Sequence, residues 1–137
     1  MYLVDTSVWI HALRPSGHPQ IQARLKPLVI SGEAAITEWR VLELMTGLAK
    51  SEQPDTLLDW FTPVARFPFN PTWWEKAWQY AGRLRKHGVS PSAADCLIAT
   101  IALEYRVTLI HCDSDFEVMK PTLPLQTLDW TQYLATS

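Results

Sequence analysis

Tyr2-Leu3-Val4-Asp5-Thr6-Ser7-Val8-Trp9-Ile10 is the stretch whose reading decides the fold. Tyr2 to Val4 is an apolar run of the length expected for a short strand covered on both faces. It stops abruptly at Asp5, and Thr6 or Ser7 then offers an N-cap for a following helix. In an open parallel sheet, ligands sit in the crevice beyond the carboxyl ends of the strands. A strand that ends in an aspartate therefore places a carboxylate where such a fold has its chemistry. The competing reading is that Asp5 only caps the helix. What separates the two is whether other acids reach the same place.

Working outward, the first helix is expected to end near Leu13, before the breaker Arg14-Pro15-Ser16-Gly17. A second helix begins with Pro19 in its first turn, buries Leu25, Leu28 and Val29, and meets a kink or early end at Pro27. Ala34-Ala35-Ile36 reads as a second buried strand. Thr37 or Glu38 starts a helix to about Lys50, with Val41, Leu44, Met45 and Leu48 spaced for one apolar face. Arg40, Glu43 and Lys50 form its narrow polar sector. A short helix over about residues 54–61 precedes a weak strand at Val64-Ala65-Arg66-Phe67. Pro71 opens the longest amphipathic helix, with Trp74, Ala77, Trp78, Ala81 and Leu84 as its stripe and Gly82 beside it suggesting close packing. That helix ends in Arg83, Arg85, Lys86 and His87, where positive charge suits the dipole. Residues 92–105 are nearly all apolar after the first turn, as in a helix buried between layers. Thr108-Leu109-Ile110 is the next strand, Leu125-Gln126-Thr127 the last, and 130–134 a closing turn. Strands alternate with helices over connections too long for hairpins. That pattern specifies a short parallel sheet with helices on both faces, a three-layer α/β/α sandwich. With 137 residues the chain is expected to be a single domain, 1–137.

The acids are distributed to match. Asp95 stands at the head of the buried helix, three residues after Ser92. The alternative there is a capping box, in which Ser92 and the acid satisfy each other's backbone donors. Asp113 and Asp115 follow the Thr108–Ile110 strand, and their alternative is an acidic turn capping the helix that contains Phe116. Three segments thus bring Asp5, Asp95 and the Asp113/Asp115 pair toward one place. Like charges crowded in a partly dry site raise one another's pKa unless something offsets them. No lysine or arginine is evident in these motifs to do so, whereas a divalent cation would. Mg²⁺ prefers a few carboxylates plus waters, which suits an all-oxygen set without histidine or cysteine. Glu43 points away from the apolar face of its helix, and periodicity leaves open a solvated salt bridge with Arg40 or Lys50 or a place facing a polar cleft.

Composition narrows the classes further. An apolar fraction of 47 %, a charged fraction of 19 % and a net charge of −2 describe an ordinary globule with no global pull toward nucleic acid or membrane. Cys96 and Cys112 lack metal-binding spacing and read as buried free thiols. No signal peptide precedes the first strand, and no apolar run approaches the ~20 residues of a membrane span. The expected compartment is a reducing cytoplasm, with no membrane partner.

Val4-Asp5-Thr6-Ser7-Val8-Trp9, Val41-Leu42-Glu43-Leu44-Met45-Thr46-Gly47, Ser92-Ala93-Ala94-Asp95-Cys96-Leu97-Ile98-Ala99 and Asp113-Ser114-Asp115-Phe116 together resemble the PIN-domain ribonucleases, in particular the VapC-type toxins of toxin–antitoxin pairs. The likeness runs from Tyr2 to about Trp130, in order and at suitable spacing. The resemblance implies a Mg²⁺- or Mn²⁺-dependent endoribonuclease, a homodimer and a cognate antitoxin. Carried over by position, Asp5, Glu43, Asp95 and Asp113 become an acidic quartet and Asp115 a fifth contributor. Asp5, Asp95, Asp113 and Asp115 would be the metal ligands, and Ser7 a small polar neighbour of the first acid. His111 departs from the threonine or serine common before the final acids; it is either a strand-end core residue or a titrating group beside the site.

RNA held by stacking and local basic groups would call on Arg14, Arg83, Arg85 and Lys86, each of which has an ordinary surface role as its alternative. Trp9 and Trp39 are the tryptophans expected nearest the cleft. Two rivals remain. An aspartyl-phosphate phosphoacceptor or phosphatase would want a strand-end lysine, and the phosphatase a second aspartate where Ser7 stands; neither is present. A non-catalytic PIN-like domain that binds RNA or protein is opposed by acids intact at every expected position.

Overall fold

The computed structural model describes residues 1–14, 16–48, 59 and 61–134. Five short parallel strands form one sheet: β1 (Tyr2–Val4), β2 (Ala34–Ile36), β3 (Ala65–Arg66), β4 (Thr108–His111) and β5 (Thr127–Asp129), in the order β3-β2-β1-β4-β5. Helices α1 (Thr6–Leu13), α2 (Pro19–Ile30), α3 (Glu38–Leu48), α4 (Trp74–Lys86), α5 (Ala93–Tyr105) and α6 (Ser114–Met119) fill the connections. Tyr2 and Leu3 are in register with Ala34 and Ala35 on one side and with Thr108 and Leu109 on the other. The chain therefore works from β1 outward to β3, then returns across β1 to β4. The β1/β4 pair is a topological switch point, where the connections leave toward opposite faces and open a crevice.

Both faces of the sheet are covered, as the unbroken apolar strands require. Val4 and Ile110 join Val8, Trp9, Ile21, Leu25, Ile36 and Phe61 on one side. Leu3 and Leu109, each one residue earlier, turn to the other side with Leu84, Ile98, Ile101, Phe116 and Met119. This alternation is the period-two geometry of a strand. It gives the three-layer α/β/α sandwich that the sequence pattern specifies.

Some local expectations are corrected. Trp74 and Trp78, placed on the buried stripe of α4, are largely exposed, Trp78 at 69 %, while Ala77 and Leu84 are buried. The stripe that α5 accepts is thus narrower than the sequence pattern. A Cβ built on Gly82 would meet nothing within 4 Å, so no close approach explains that glycine. Helix α2 runs on through Pro27 to Ile30, with the ring on the exposed face. The last strand starts at Thr127 instead of Leu125, because Leu123 and Leu125 close a tight turn (Leu125 N–H to Leu123 O, 2.8 Å) that must end before pairing begins. The helix expected over 54–61 lies, apart from Asp59 and Phe61, outside the described residues, as do Ala49 and Lys50.

Candidate active site

Asp5 is the first residue beyond β1, and its N–H is tied to Ile110 O of β4 at 2.9 Å. It is 3 % exposed. One carboxylate oxygen, Oδ2, accepts from the backbone N–H and the hydroxyl of Ser7, at 3.1 and 2.7 Å. Asp5 is thus itself the N-cap of α1, in place of Thr6 or Ser7. Capping consumes only one oxygen. The other, Oδ1, accepts no aligned hydrogen bond and faces a cation. Ser7 Oγ in turn accepts from the Cys112 N–H at 2.9 Å, which ties the acid at the end of β1 to the loop that leaves β4.

Asp95 shows the same division. The Ser92 hydroxyl accepts the Asp95 N–H at 3.0 Å and caps α5. The Asp95 carboxylate does not return to close the capping box; its Oδ1 bonds across the crevice to Arg40. Asp113 caps α6 by accepting the Asp115 N–H at 3.0 Å. One oxygen from each of Asp95, Asp113 and Asp115 lies within 4.8 Å of the others, with Asp95 buried, Asp113 half-buried and Asp115 exposed. These three aspartates come together as the sequence suggests; of them only Asp113 caps a helix, since Ser92 caps α5.

The cation at the other side is the residue that the sequence argument missed. Arg40, 5 % exposed, sends Nη2 to Asp5 Oδ1 at 2.8 Å and to Asp95 Oδ1 at 2.9 Å, and Nη1 to Glu43 Oε1 at 2.6 Å. The expectation that no arginine compensates these acids is therefore wrong for Asp5, Glu43 and Asp95. The Arg40–Glu43 salt bridge, offered as the ordinary alternative for Glu43, exists and also draws Glu43 to the rim of the crevice. A signal for this was present. Thr37 follows β2 and its hydroxyl accepts the Arg40 N–H at 3.3 Å, so Arg40 sits in the first turn of α3. A cation there opposes the helix dipole unless acids elsewhere compensate it.

The electrostatics follow from burial and pairing. Burial pushes the Asp95 carboxyl up; Arg40 pulls it back, Asp5 and Asp113 add to the rise, and the net result lies above the ordinary value. Burial disfavours the charge on Arg40, but Asp5, Glu43 and Asp95 outweigh it and keep the guanidinium protonated. Burial, then Asp129 and Asp5, push the Cys112 thiol up to about 12, so it is no nucleophile. His111 is fully buried. Its Nδ1 accepts the Asp113 N–H at 3.1 Å, so Nε2 carries the proton shared with Glu117 Oε1 at 2.8 Å. It is the core residue of the two alternatives, and it shapes the turn that presents Asp113.

The basic candidates separate. Among the described residues, Arg14, Arg83, Arg85 and Lys86 make no hydrogen bond or ion pair to the carboxylates. Arg83 donates to Thr122 O at 3.3 Å, beyond α6. The loop that directly follows Arg85 and Lys86 contributes Gly88, Val89, Ser90 and Pro91 to a recess of about 210 Å³ shared with Asp115 and Val118. The loop after the basic end of α4 and the exposed aspartate thus line one recess, while Arg83, Arg85 and Lys86 do not line it. Arg14 closes α1 and has no described tie to it. Trp9 is buried against Phe61 and donates to Val4 O at 3.2 Å, so it is core and not cleft. Trp39 is 47 % exposed on the helix that carries Arg40 and Glu43.

Carboxylates converging beyond the switch point of a short parallel sheet, without histidine or cysteine donors among them, define an acid-centred α/β protein whose donor set suits an oxygen-seeking divalent cation. A family model, the PIN domain, matches residues 2–120, and the chain belongs to that family. It is 29 % identical over 132 residues to the VapC ribonuclease Mb1587 of Mycobacterium bovis and equally to ribonuclease VapC11 of Mycobacterium tuberculosis, covering 92 % of this chain and 96 % of each relative. In fold it is similar to a chain of FitAcB from Neisseria gonorrhoeae (TM-score 0.76, 22 % identity, 94 % of this chain and 97 % of that one). It is also similar to a chain of VapBC2 from Rickettsia felis bound to a promoter DNA fragment (TM-score 0.74, 19 % identity, 94 % and 98 %). Among the described residues no helix is long and apolar enough to cross a membrane.

Proposed function

We propose that the chain is an endoribonuclease dependent on Mg²⁺ or Mn²⁺ and the toxin of a toxin–antitoxin pair. The observation that carries the reading is the convergence of Asp95, Asp113 and Asp115 at the switch point, with Asp5 and Glu43 joined to them through Arg40. Its support from relatives is the naming of VapC ribonucleases at 29 % identity and of VapBC complexes among the similar folds.

The residues fit the ion. Asp113 and Asp115 have no cationic partner among the described residues, so their charge is uncompensated, and with Asp95 they offer three oxygens of the right chemistry. Asp95, Asp113 and Asp115 would hold it. A divalent cation held there would supply positive charge toward a scissile phosphate and acidify a nearby water. The other residues act on the chain's own account. Arg40 holds Asp5, Glu43 and Asp95 in one orientation, and Ser7 fixes Asp5 to the β4 loop. Glu43, paired with Arg40 through Oε1 and 37 % exposed, would accept a proton from an attacking water. Arg85 and Lys86, in the last turn of the helix whose following loop lines the recess beside Asp115, would meet the phosphate backbone of single-stranded RNA, with exposed Trp39 as a stacking face. The reading carries with it a protein antitoxin, a homodimeric toxin, a cytoplasmic site of action and a single domain over 1–137.

The test is cleavage of RNA in Mn²⁺ or Mg²⁺ by the purified chain. Asp113→Asn and Asp95→Asn are expected to lower the rate by about a hundredfold or more while circular dichroism stays unchanged. Expression in a bacterial host is expected to arrest growth, with relief by the protein encoded beside it. A second reading, a non-catalytic binding domain, draws on the fact that Arg40 already pairs with three of the five acids. Absence of both Mn²⁺ binding and cleavage would favour it.

A further inference from the structure

Charge compensation in the crevice is uneven. On one side a single guanidinium serves Asp5, Glu43 and Asp95, with contacts of 2.6 to 2.9 Å. On the other, Asp113 and Asp115 meet no cation among the described residues. Asp95 is the only acid that belongs to both groups. Nη2 fills the gap between the Asp5 and Asp95 carboxylates that an ion bridging the two would need. Two cations cannot share that gap.

Arg40 is also not free to leave. It is 5 % exposed, its backbone is fixed in the first turn of α3, and its Nε is buried without a partner, so the two Nη groups carry all its polar contacts. Swinging it out would break its contacts to Asp5, Glu43 and Asp95 together, and the buried Asp5 would then need another cation in its place. The planar fork of arginine meets several carboxylates at fixed angles, which an ammonium would not reproduce.

We infer that Arg40 is a built-in second cation of this centre: the chain takes one divalent ion, at Asp95, Asp113 and Asp115, while Arg40 occupies the place between Asp5, Glu43 and Asp95 where a second would sit. The inference rests on the metal dependence proposed above and fixes its stoichiometry. Asp5 is on this account a positioning residue, held through Arg40, and not an ion ligand.

The measurement is the number and position of bound Mn²⁺ ions, independent of any activity. Titration followed by the electron paramagnetic resonance signal of free Mn²⁺ is expected to give one ion per chain. Anomalous scattering from Mn²⁺-soaked crystals is expected to place it against Asp113 and Asp115, with the Arg40–Asp5 contact intact. Asp113→Asn is expected to weaken that ion by about tenfold or more. Arg40→Met is expected to raise the count to two, the new ion lying against Asp5. If that variant folds only when Mn²⁺ is present, the dependence supports the exchange of guanidinium for ion; a folded Arg40→Met that still binds one ion per chain would overturn it. Two ions in the unmodified chain, or one lying between Asp5 and Asp95 with Arg40 displaced, would overturn the inference and leave metal dependence standing. Absence of any bound Mn²⁺ would remove both.

Discussion

Ser7 Oγ stands between two parts of the chain that are 105 residues apart, donating to Asp5 and accepting from Cys112. Removing it leaves the Cys112 N–H unpaired and lets the Asp5 carboxylate turn. Ser7→Ala is expected to cost about 1–2 kcal/mol in denaturant unfolding and to reduce RNA cleavage with it. Glu117 is the other residue whose partners reach across elements. Burial pushes its carboxyl up, but hydrogen bonds from Thr127, His111 and Lys120 outweigh this and leave it below the ordinary 4.5. A depressed carboxyl resists protonation in the folded state, so its contribution is present above pH 4.5 and lost as pH falls through the lowered value. Glu117→Gln is therefore expected to flatten the fall of Tm with acidification below pH 4.5. An unchanged slope would show that the group does not link folding to pH.

At the scale of elements, each acid-bearing helix starts from an N-cap that also sets the aim of its carboxylates. Ser92 caps α5 and frees Asp95; Asp5 and Asp113 cap with one oxygen and keep the other. The far end of α5 is less favourable. Arg106 closes it in the left-handed region, at φ 55°. Glycine takes that conformation without a Cβ clash. Arg106→Gly is expected to stabilise the chain by up to about 1 kcal/mol, read as a higher Tm with cleavage unchanged. Helix α4 shows why a periodic stripe can mislead. Ala77 and Leu84 pack on α5, while Trp74 and Trp78 stand outward. A helical wheel identifies a face, not how much of it a neighbour covers.

For the molecule as a whole, excess negative charge in the crevice opposes folding, and on the proposed reading a bound cation would relieve it. Because the ligands converge only in the folded state, binding must raise stability. At Mn²⁺ a hundred times its Kd the gain is expected to be about 2.7 kcal/mol, seen as a rise in Tm that Asp113→Asn abolishes. Equal shifts in both proteins would place the ion elsewhere. The sheet makes this coupling possible. Its switch point gathers the end of β1, the end of β4 and the head of α5, while α3, starting beyond the neighbouring β2, supplies the opposing arginine.

Much of this was legible from local chemistry alone. Apolar runs too short to be helices, caps and glycine stops, and connections too long for hairpins specify the alternating α/β order and parallel sheet. Asp5, Asp95, Asp113 and Asp115 could be placed at strand or helix ends because those ends are marked by neighbouring residues. Glu43 was open on its periodicity, and the family resemblance alone drew it to the site. What only the tertiary structure decided is the partner of each acid. How far α3 rotates about its axis depends on packing against α1, not on its own repeat, and that rotation puts Arg40 into the crevice. Sequence specifies which charges a segment carries; the distances that make them neutralise one another arise only when separate segments pack.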